Sequence, residues 1–274
     1  MPKRVESPSS INTFYQCPRK YYYHYILGLP TKESIATLAG KTIHAVLEDF
    51  FDIKVENLKP SNIEHELKQK LLNVFVLKWQ DAIPELSKLN IDKREIQQYY
   101  QESLEMLGNF LDNFFAKITP LINSSTFAET FEKFKPTREI FIQSNELNVR
   151  GYIDAIHETN GEIYILDYKT SKKDLVSPEY RRQLAIYACL YMAKYEKIPH
   201  RVGILFLRHG TEQVIDVADE LLNEGKIACE HIQKKTESSE MDDYQRNISP
   251  LCKWRNGECD YYRICFGQKN LEEF

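Results

Sequence analysis

The stretch LNVRGYIDAIHETNGEIYILDYKT, residues 147–170, constrains the fold more than any other part of the chain, because Asn160-Gly161 sits at its centre. Asn-Gly between two period-two patterns rich in Ile, Val and Tyr is the strongest short-range signal for a β-hairpin with a two-residue type I′ turn. With Asn160 and Gly161 as the central pair, Thr159 faces Glu162, and counting back along both strands sets Asp154 directly opposite Asp167. Lys169 then falls across from Tyr152, on the face of Asp167, since side chains alternate along a strand.

Directly opposed Cβ atoms stand about 5 Å apart. Two carboxylates at that spacing repel by about 3 kcal/mol at an effective dielectric of about 20. A strand pair has no structural reason to accept this, whereas a divalent cation between them reverses the sign, and an oxygen-rich site suits Mg²⁺ or Mn²⁺. A register shifted by one would leave one aspartate solvated. Against that, Ile153, Ile156, Ile163, Ile165, Leu166 and Tyr168 surround the two acids with apolar neighbours, where an acid lacking a partner is costly. Lys169, two residues beyond Asp167, is suited to hold an attacking water and to offset transition-state charge; elsewhere it would read as a surface lysine. His44 sits beside the apolar stripe of its helix, where a packed or surface histidine is the commoner case. Gln183 and Tyr187, four apart, share one helix face.

The rest of the chain alternates between the two periodicities. Segments 138–143, 147–157 and 162–170 read as strands, and 201–208 with 212–218 as a second hairpin around His209-Gly210. Helical spacing covers 8–26, broken at Cys17-Pro18, then 40–53, 178–195 and 219–236. Residues 61–118 are almost wholly helical and amphipathic, with the look of an insertion or lid. The expected fold is therefore α+β, a small mixed central sheet flanked by helices. The 36 basic and 40 acidic residues leave a net charge of −4, which excludes a uniformly basic nucleic-acid coat but not a local basic groove. No apolar stretch approaches a membrane span, and no signal peptide is visible at the N-terminus, so the expectation is a cytoplasmic protein.

Six cysteines occur. Cys189 and Cys229 lie in apolar helical contexts and read as small buried thiols. Cys252, Cys259 and Cys265 form a C-x6-C-x5-C run, and Cys17 stands near the other end. Four thiolates grouped this way could hold zinc or an iron–sulfur cluster; zinc sites favour closer pairs, so a cluster is preferred. Joining Cys17 to Cys252 would close a very long loop, worth about 5 kcal/mol by analogy with disulfides. Arg19, Lys20 and Tyr21 to Tyr23, with Lys253 and Arg255, could present a basic aromatic surface to single-stranded DNA, or the tyrosines could brace the cysteine site.

Together these segments resemble the RecB-type, iron–sulfur branch of the PD-(D/E)xK nuclease superfamily, which includes CRISPR-associated RecB-like exonucleases, AddB nuclease domains and exonuclease V. PSSINTFYQCPRKYYY resembles the first-cysteine segment, GKTIH the histidine helix, GYIDAI the first acidic motif, DYKTS the D-x-K motif, QLAIY the Q-x-x-x-Y motif, and C-x6-C-x5-C the last cluster ligands. The resemblance implies a restriction-endonuclease-like fold filling 1–274 as one nuclease domain, with 61–118 as a helical insertion and 1–25 plus 245–274 as a cluster subdomain. It implies that His44, Asp154, Asp167 and the Tyr168 carbonyl bind Mg²⁺ or Mn²⁺, that Lys169 orients the water, and that Gln183 and Tyr187 steady the site or touch DNA. It also implies a [4Fe–4S] cluster on Cys17, Cys252, Cys259 and Cys265. The expected activity is exonucleolytic hydrolysis of single-stranded DNA ends, 5′ to 3′ favoured, with a CRISPR integrase or a helicase as the class of protein partner. The competing reading is a DNA-binding or scaffold protein that does not cut.

Overall fold

The computed structural model describes residues 4–122, 126–255 and 257–268; the outermost ends of the expected domain, 1–3 and 269–274, lie outside it. Helix α1 (Pro8–Gln16) is closed at its start by Ser7 and Ser10 in a reciprocal capping box. Pro18 cannot continue that helix and opens the short α2 (Pro18–Tyr21), leaving Cys17 extended between them. A π-helical turn, Tyr22–Ile26, follows.

Helix α3 (Ile35–Phe50) starts five residues earlier than the apolar spacing suggests, because the Ser34 hydroxyl accepts the Thr37 N–H and caps it. The long helical stretch divides into α4 (Ile63–Lys88) and α5 (Lys93–Ile118), with Asp92 capping the second. Phe75 and Trp79 of α4 pack on Tyr100 of α5 at centroid distances of 5.1 and 5.2 Å. A further helix, α6 (Phe127–Phe134), carries its own capping box at Thr126 and Glu129.

Five strands form one sheet in chain order: β1 (Thr137–Ser144), β2 (Val149–Thr159), β3 (Glu162–Lys169), β4 (Arg201–Phe206) and β5 (Thr211–Asp216). Only β3 and β4 run parallel, and such a pair needs a crossover; helix α7 (Pro178–Tyr195) supplies it. The sheet is mixed, as expected. Asn160 and Gly161 both have positive φ, 53° and 82°, the geometry a type I′ turn requires. The ladder follows from that turn: Thr159 faces Glu162, and Ala155 faces Leu166.

Helices cover both faces. Under α7, Leu184 to Tyr191 are all buried, joined by Ile142, Ile153, Ile156, Ile163 and Ile165 from the sheet. Helix α8 (Asp219–Lys235) lies against α7, and Gly225 is what lets it approach: a Cβ there would stand 2.6 Å from the Ala185 carbonyl oxygen. The opposite face packs Ala155, Leu166, Tyr168 and Leu205 against α3 and α5. The tail forms a minimal hairpin, β6 (Lys253–Trp254) with β7 (Gly257–Glu258), and one turn, α9 (Tyr262–Cys265). It is stitched to the N-terminal segment by Asn247 Nδ2 donating to the Gln16 carbonyl (2.8 Å) and Tyr261 OH donating to the Leu29 carbonyl (2.9 Å). Among the described residues no helix is long and apolar enough to cross a membrane.

The basic aromatic surface read at residues 19–23 does not form as such. Tyr21, Tyr22 and Tyr23 are 0%, 8% and 2% exposed. Tyr21 donates to the buried Glu6 carboxylate (2.6 Å), which also accepts from Ser10 Oγ (2.6 Å) and pairs with Arg4 (2.9 Å). A satisfied acid draws the tyrosines inward, so they act as bracing.

Candidate active site

The register brings three acids to one place in the sheet. The β2–β3 ladder ends at Ala155 and Leu166, one residue short of the expected Asp154–Asp167 pair: beyond it the Asp154 carboxylate turns to His44 of α3 and to the Tyr168 N–H, while Asp167 is held from α7 by Gln183. On the other side of β2, Arg138 faces Ala155 and Ile140 faces Ile153, which brings Glu139 level with Asp154. The backbone is irregular at this row. Glu139 takes a left-handed φ of 47°, and Ile153 and Ile156 pack into the same core beneath α7, so strict alternation breaks across Asp154. Such departures recur where a sheet aims a side chain at a functional site.

Helix α3 crosses this row. Its His44 Nδ1 lies 3.5 Å from Asp154 Oδ2, and one ligand atom each from His44, Glu139 and Asp154 all fall within 4.8 Å of one another. They line an open cleft of about 470 Å³ whose other walls are α3 residues, among them Lys41 and Glu48. Asp154 Oδ2 also accepts the Tyr168 N–H (2.8 Å), so the contact with Tyr168 in this structure is through its amide.

Asp167 is 1% exposed and held from the α7 side. Gln183 Nε2 donates to Asp167 Oδ1 (2.9 Å) and reaches the Tyr187 hydroxyl (2.8 Å). Lys169 Nζ stands 2.7 Å from Asp167 Oδ2, yet that oxygen has no aligned hydrogen-bond partner. We read the contact as charge-held, with a lone pair left over. All seven residues singled out from sequence in this region thus fall in one neighbourhood. Asp167 is outside the three-ligand group, and Glu139, which carried no sequence signal, is inside it.

Charge crowding shows in the titrations. Burial, then the Asp167 charge, hold the Asp154 carboxyl well above the usual range. Glu139 is raised by burial and then by Glu48 and Asp167. Burial lowers His44, keeping its imidazole neutral with a lone pair to offer. For Lys169, burial opposes the charge, but the Asp167 carboxylate overrides it and raises the ammonium. Lys169 is therefore a fixed cation at neutral pH, a donor and not a base.

The donor set fits a hard divalent ion. Octahedral Mg²⁺ with ligands at about 2.1 Å needs neighbouring donors about 3.0 Å apart and opposite ones about 4.2 Å apart, a range that includes the 3.5 Å between His44 Nδ1 and Asp154 Oδ2. One imidazole, two carboxylates and the spare oxygen of Asp167 are the donors such an ion takes.

The four cysteines of the second group line one cavity of about 220 Å³ between the N-terminal segment and the tail. All are free and partly buried. Burial raises Cys259 and Cys265. Among the described residues no three of these sulfurs lie within 4.8 Å of one another. A tetrahedral zinc with Zn–S of about 2.3 Å needs sulfurs about 3.8 Å apart, so the cavity is wider than a zinc site. Cys189 and Cys229 are buried in the core at 0% and 1% exposure.

Comparison with known proteins agrees with this architecture. A solved structure of an exonuclease candidate from Eubacterium rectale superposes with a TM-score of 0.53 at 14% identity, covering 96% of this chain and 88% of that one; at such identity the likeness shows the fold. One of the subunits of the ATP-dependent helicase/deoxyribonuclease of Carboxydothermus hydrogenoformans is 27% identical over 182 residues, 62% of this chain and 16% of that protein's length. The profile of the PD-(D/E)XK nuclease superfamily matches residues 6–266. With the match running through both acidic strands and the cysteine tail, the chain belongs to the PD-(D/E)XK nuclease superfamily.

Proposed function

We propose that this protein is a metal-dependent deoxyribonuclease that hydrolyses phosphodiester bonds at single-stranded DNA ends, with 5′ to 3′ polarity. The observation that carries the reading is the cluster itself: His44, Glu139 and Asp154 each bring a ligand atom within 4.8 Å of the others, and Lys169 stands against the neighbouring Asp167. His44, Glu139 and Asp154, joined by Asp167, hold Mg²⁺ or Mn²⁺ in this reading. When bound, the ion supplies Lewis-acid polarisation of the scissile phosphate and neutralises charge building on it. Lys169, kept protonated, donates to the attacking water or a phosphate oxygen and so fixes the line of attack. Gln183 clamps Asp167 and keeps it aimed at the row. Tyr187, whose phenol burial raises well above the ordinary range, stays a neutral donor.

Cys17, Cys252, Cys259 and Cys265 carry a [4Fe–4S] cluster in this reading. The shared cavity supports it, since the outward-pointing thiolates of a cubane stand further apart than those around zinc. The cluster's role is structural, tying the two ends of the domain across the sheet. Likeness to part of a helicase/deoxyribonuclease supports a helicase as the working partner.

Anaerobically purified protein should digest end-labelled single-stranded DNA with Mn²⁺ or Mg²⁺. Asp154→Ala should abolish digestion while DNA binding and the brown colour persist. Cleavage by that variant would refute the site assignment; binding without cleavage by the unaltered protein would favour a non-catalytic DNA-binding role.

A further inference from the structure

Phe141 and Tyr152 are 44% and 59% exposed. They are direct partners across β1 and β2, with ring centroids 5.1 Å apart and planes inclined by 52°. Each lies two residues from a member of the acidic row, Phe141 from Glu139 and Tyr152 from Asp154. At about 3.3 Å of rise per residue the rings stand about 7 Å from the row.

Their neighbours in sequence show which face they use. Ile142 and Ile153 are buried beneath α7, and a Cβ added at Gly151 would meet Leu190 and Tyr187 of that helix at 3.4 Å. Phe141 and Tyr152 therefore project from the opposite face. There α3 crosses at the row and at Arg138, which donates to the Glu48 carbonyl of that helix, and Phe141 and Tyr152 beyond it stay exposed. The next pair on that face is Gln143 with Arg150, both exposed. Arg150 has no ion-pair partner among the described residues.

We propose that this strip is a stacking platform for the bases of a single DNA strand beside the scissile bond, with Arg150 meeting the backbone. The inference rests on the nuclease reading and names its substrate contact. A cross-strand aromatic pair can be placed on a sheet merely to stabilise it, but stability alone does not call for an exposed cation beside it and two acids of the open cleft two residues away. Two inclined rings give π faces of different orientation, which suits unstacked bases and offers nothing to a duplex whose bases are already stacked. The strip runs toward Glu139 and Asp154 on the α3 side of the sheet, so a base seated on the rings sets its own phosphate toward the cleft those two acids line; Lys169 projects from the α7 face, against Asp167 and Tyr180, and not across from Tyr152 as the turn register suggested.

The test measures binding in EDTA, separately from cleavage, by anisotropy of a labelled oligothymidylate and of its abasic analogue on the full chain. Replacing both rings, Phe141→Ala with Tyr152→Ala, should weaken oligothymidylate binding roughly five- to hundredfold and leave abasic binding unchanged. Tyr152→Leu, which keeps apolar bulk without a π face, should lose affinity, and Tyr152→Trp should keep it. Equal losses on both strands, or full affinity in Tyr152→Leu, overturn the platform. Cleavage by the unaltered chain is read independently: absent cleavage with base-dependent binding sinks the nuclease reading and leaves the platform, and the reverse result does the opposite.

Discussion

Asp154→Asn removes one charge from the acidic row but keeps an oxygen able to accept the Tyr168 N–H, which Asp154 accepts at 2.8 Å. A carboxylate oxygen of Asp154 lies within 4.8 Å of one of Glu139, and two ionised carboxylates at about 5 Å cost about 3 kcal/mol at an effective dielectric of about 20. Lys169, 2.7 Å from Asp167, offsets part of this. Proton uptake by Asp154, whose carboxyl is raised by burial and by Asp167, offsets more. A net relief of about 1–2 kcal/mol remains, and at about 2–4 °C per kcal/mol for a chain near this size the variant should melt about 2–8 °C above wild type in EDTA at neutral pH. Mn²⁺ should invert the order. A ligand at a hundred times its Kd stabilises by about 2.7 kcal/mol, and only the wild type keeps the charge to hold it. Differential scanning fluorimetry of both proteins across a Mn²⁺ titration checks this. A variant that melts lower in EDTA, with the same Mn²⁺ response as wild type, would refute the crowding argument.

Lys169→Met should lower kcat on DNA by a factor of about 10²–10³ with little change in KM, as expected for a donor acting in the transition state; steady-state kinetics decide it. Gly225→Ala puts a methyl 2.6 Å from the Ala185 carbonyl oxygen and 2.7 Å from Cys189 Sγ, and should cost about 1–3 kcal/mol in urea unfolding through overpacking. His157, packed beside Phe134 and Tyr164, is pushed down to about 4 by burial and then by the Lys117 charge. The unfolded chain therefore takes up a proton before the folded one does, so stability is lost as pH falls from about 6.5 to about 4, by about 3 kcal/mol in all. His157→Gln should flatten that slope in acid-dependent urea unfolding, and an unchanged slope would contradict the assignment.

Much of the site was legible because a two-residue turn is a local signal with a non-local consequence. Asn160-Gly161 sets the pairing of β2 and β3 from Thr159–Glu162 to Ala155–Leu166, and this brings Asp154 and Asp167 to one end of the strand pair; the last step, where the Asp154 side chain takes the Tyr168 N–H, was not legible. Gln183 and Tyr187 were readable as a helix-face pair, but not that Gln183 would reach Asp167. Glu139 was not legible. The β1–β2 connection at 145–148 lacks a tight-turn pair, so nothing in the sequence aligns Glu139 with Asp154, and its left-handed φ is imposed by the surrounding sheet. The Tyr21–Tyr23 run misled because tyrosine serves surface and core alike; the buried Glu6 that takes the Tyr21 hydroxyl lies fifteen residues away. The break in the long helical stretch near Asp92 was hidden because apolar spacing continues on both sides of it.

Anomalous diffraction at the manganese edge, from crystals grown with Mn²⁺, reaches the central claim most directly. A peak about 2.1 Å from the carboxylate oxygens of Asp154 and Glu139, with His44 as a nitrogen ligand, is the expected result. A fully ordered row with no manganese between these side chains, or manganese bound only elsewhere on the molecule, would contradict it.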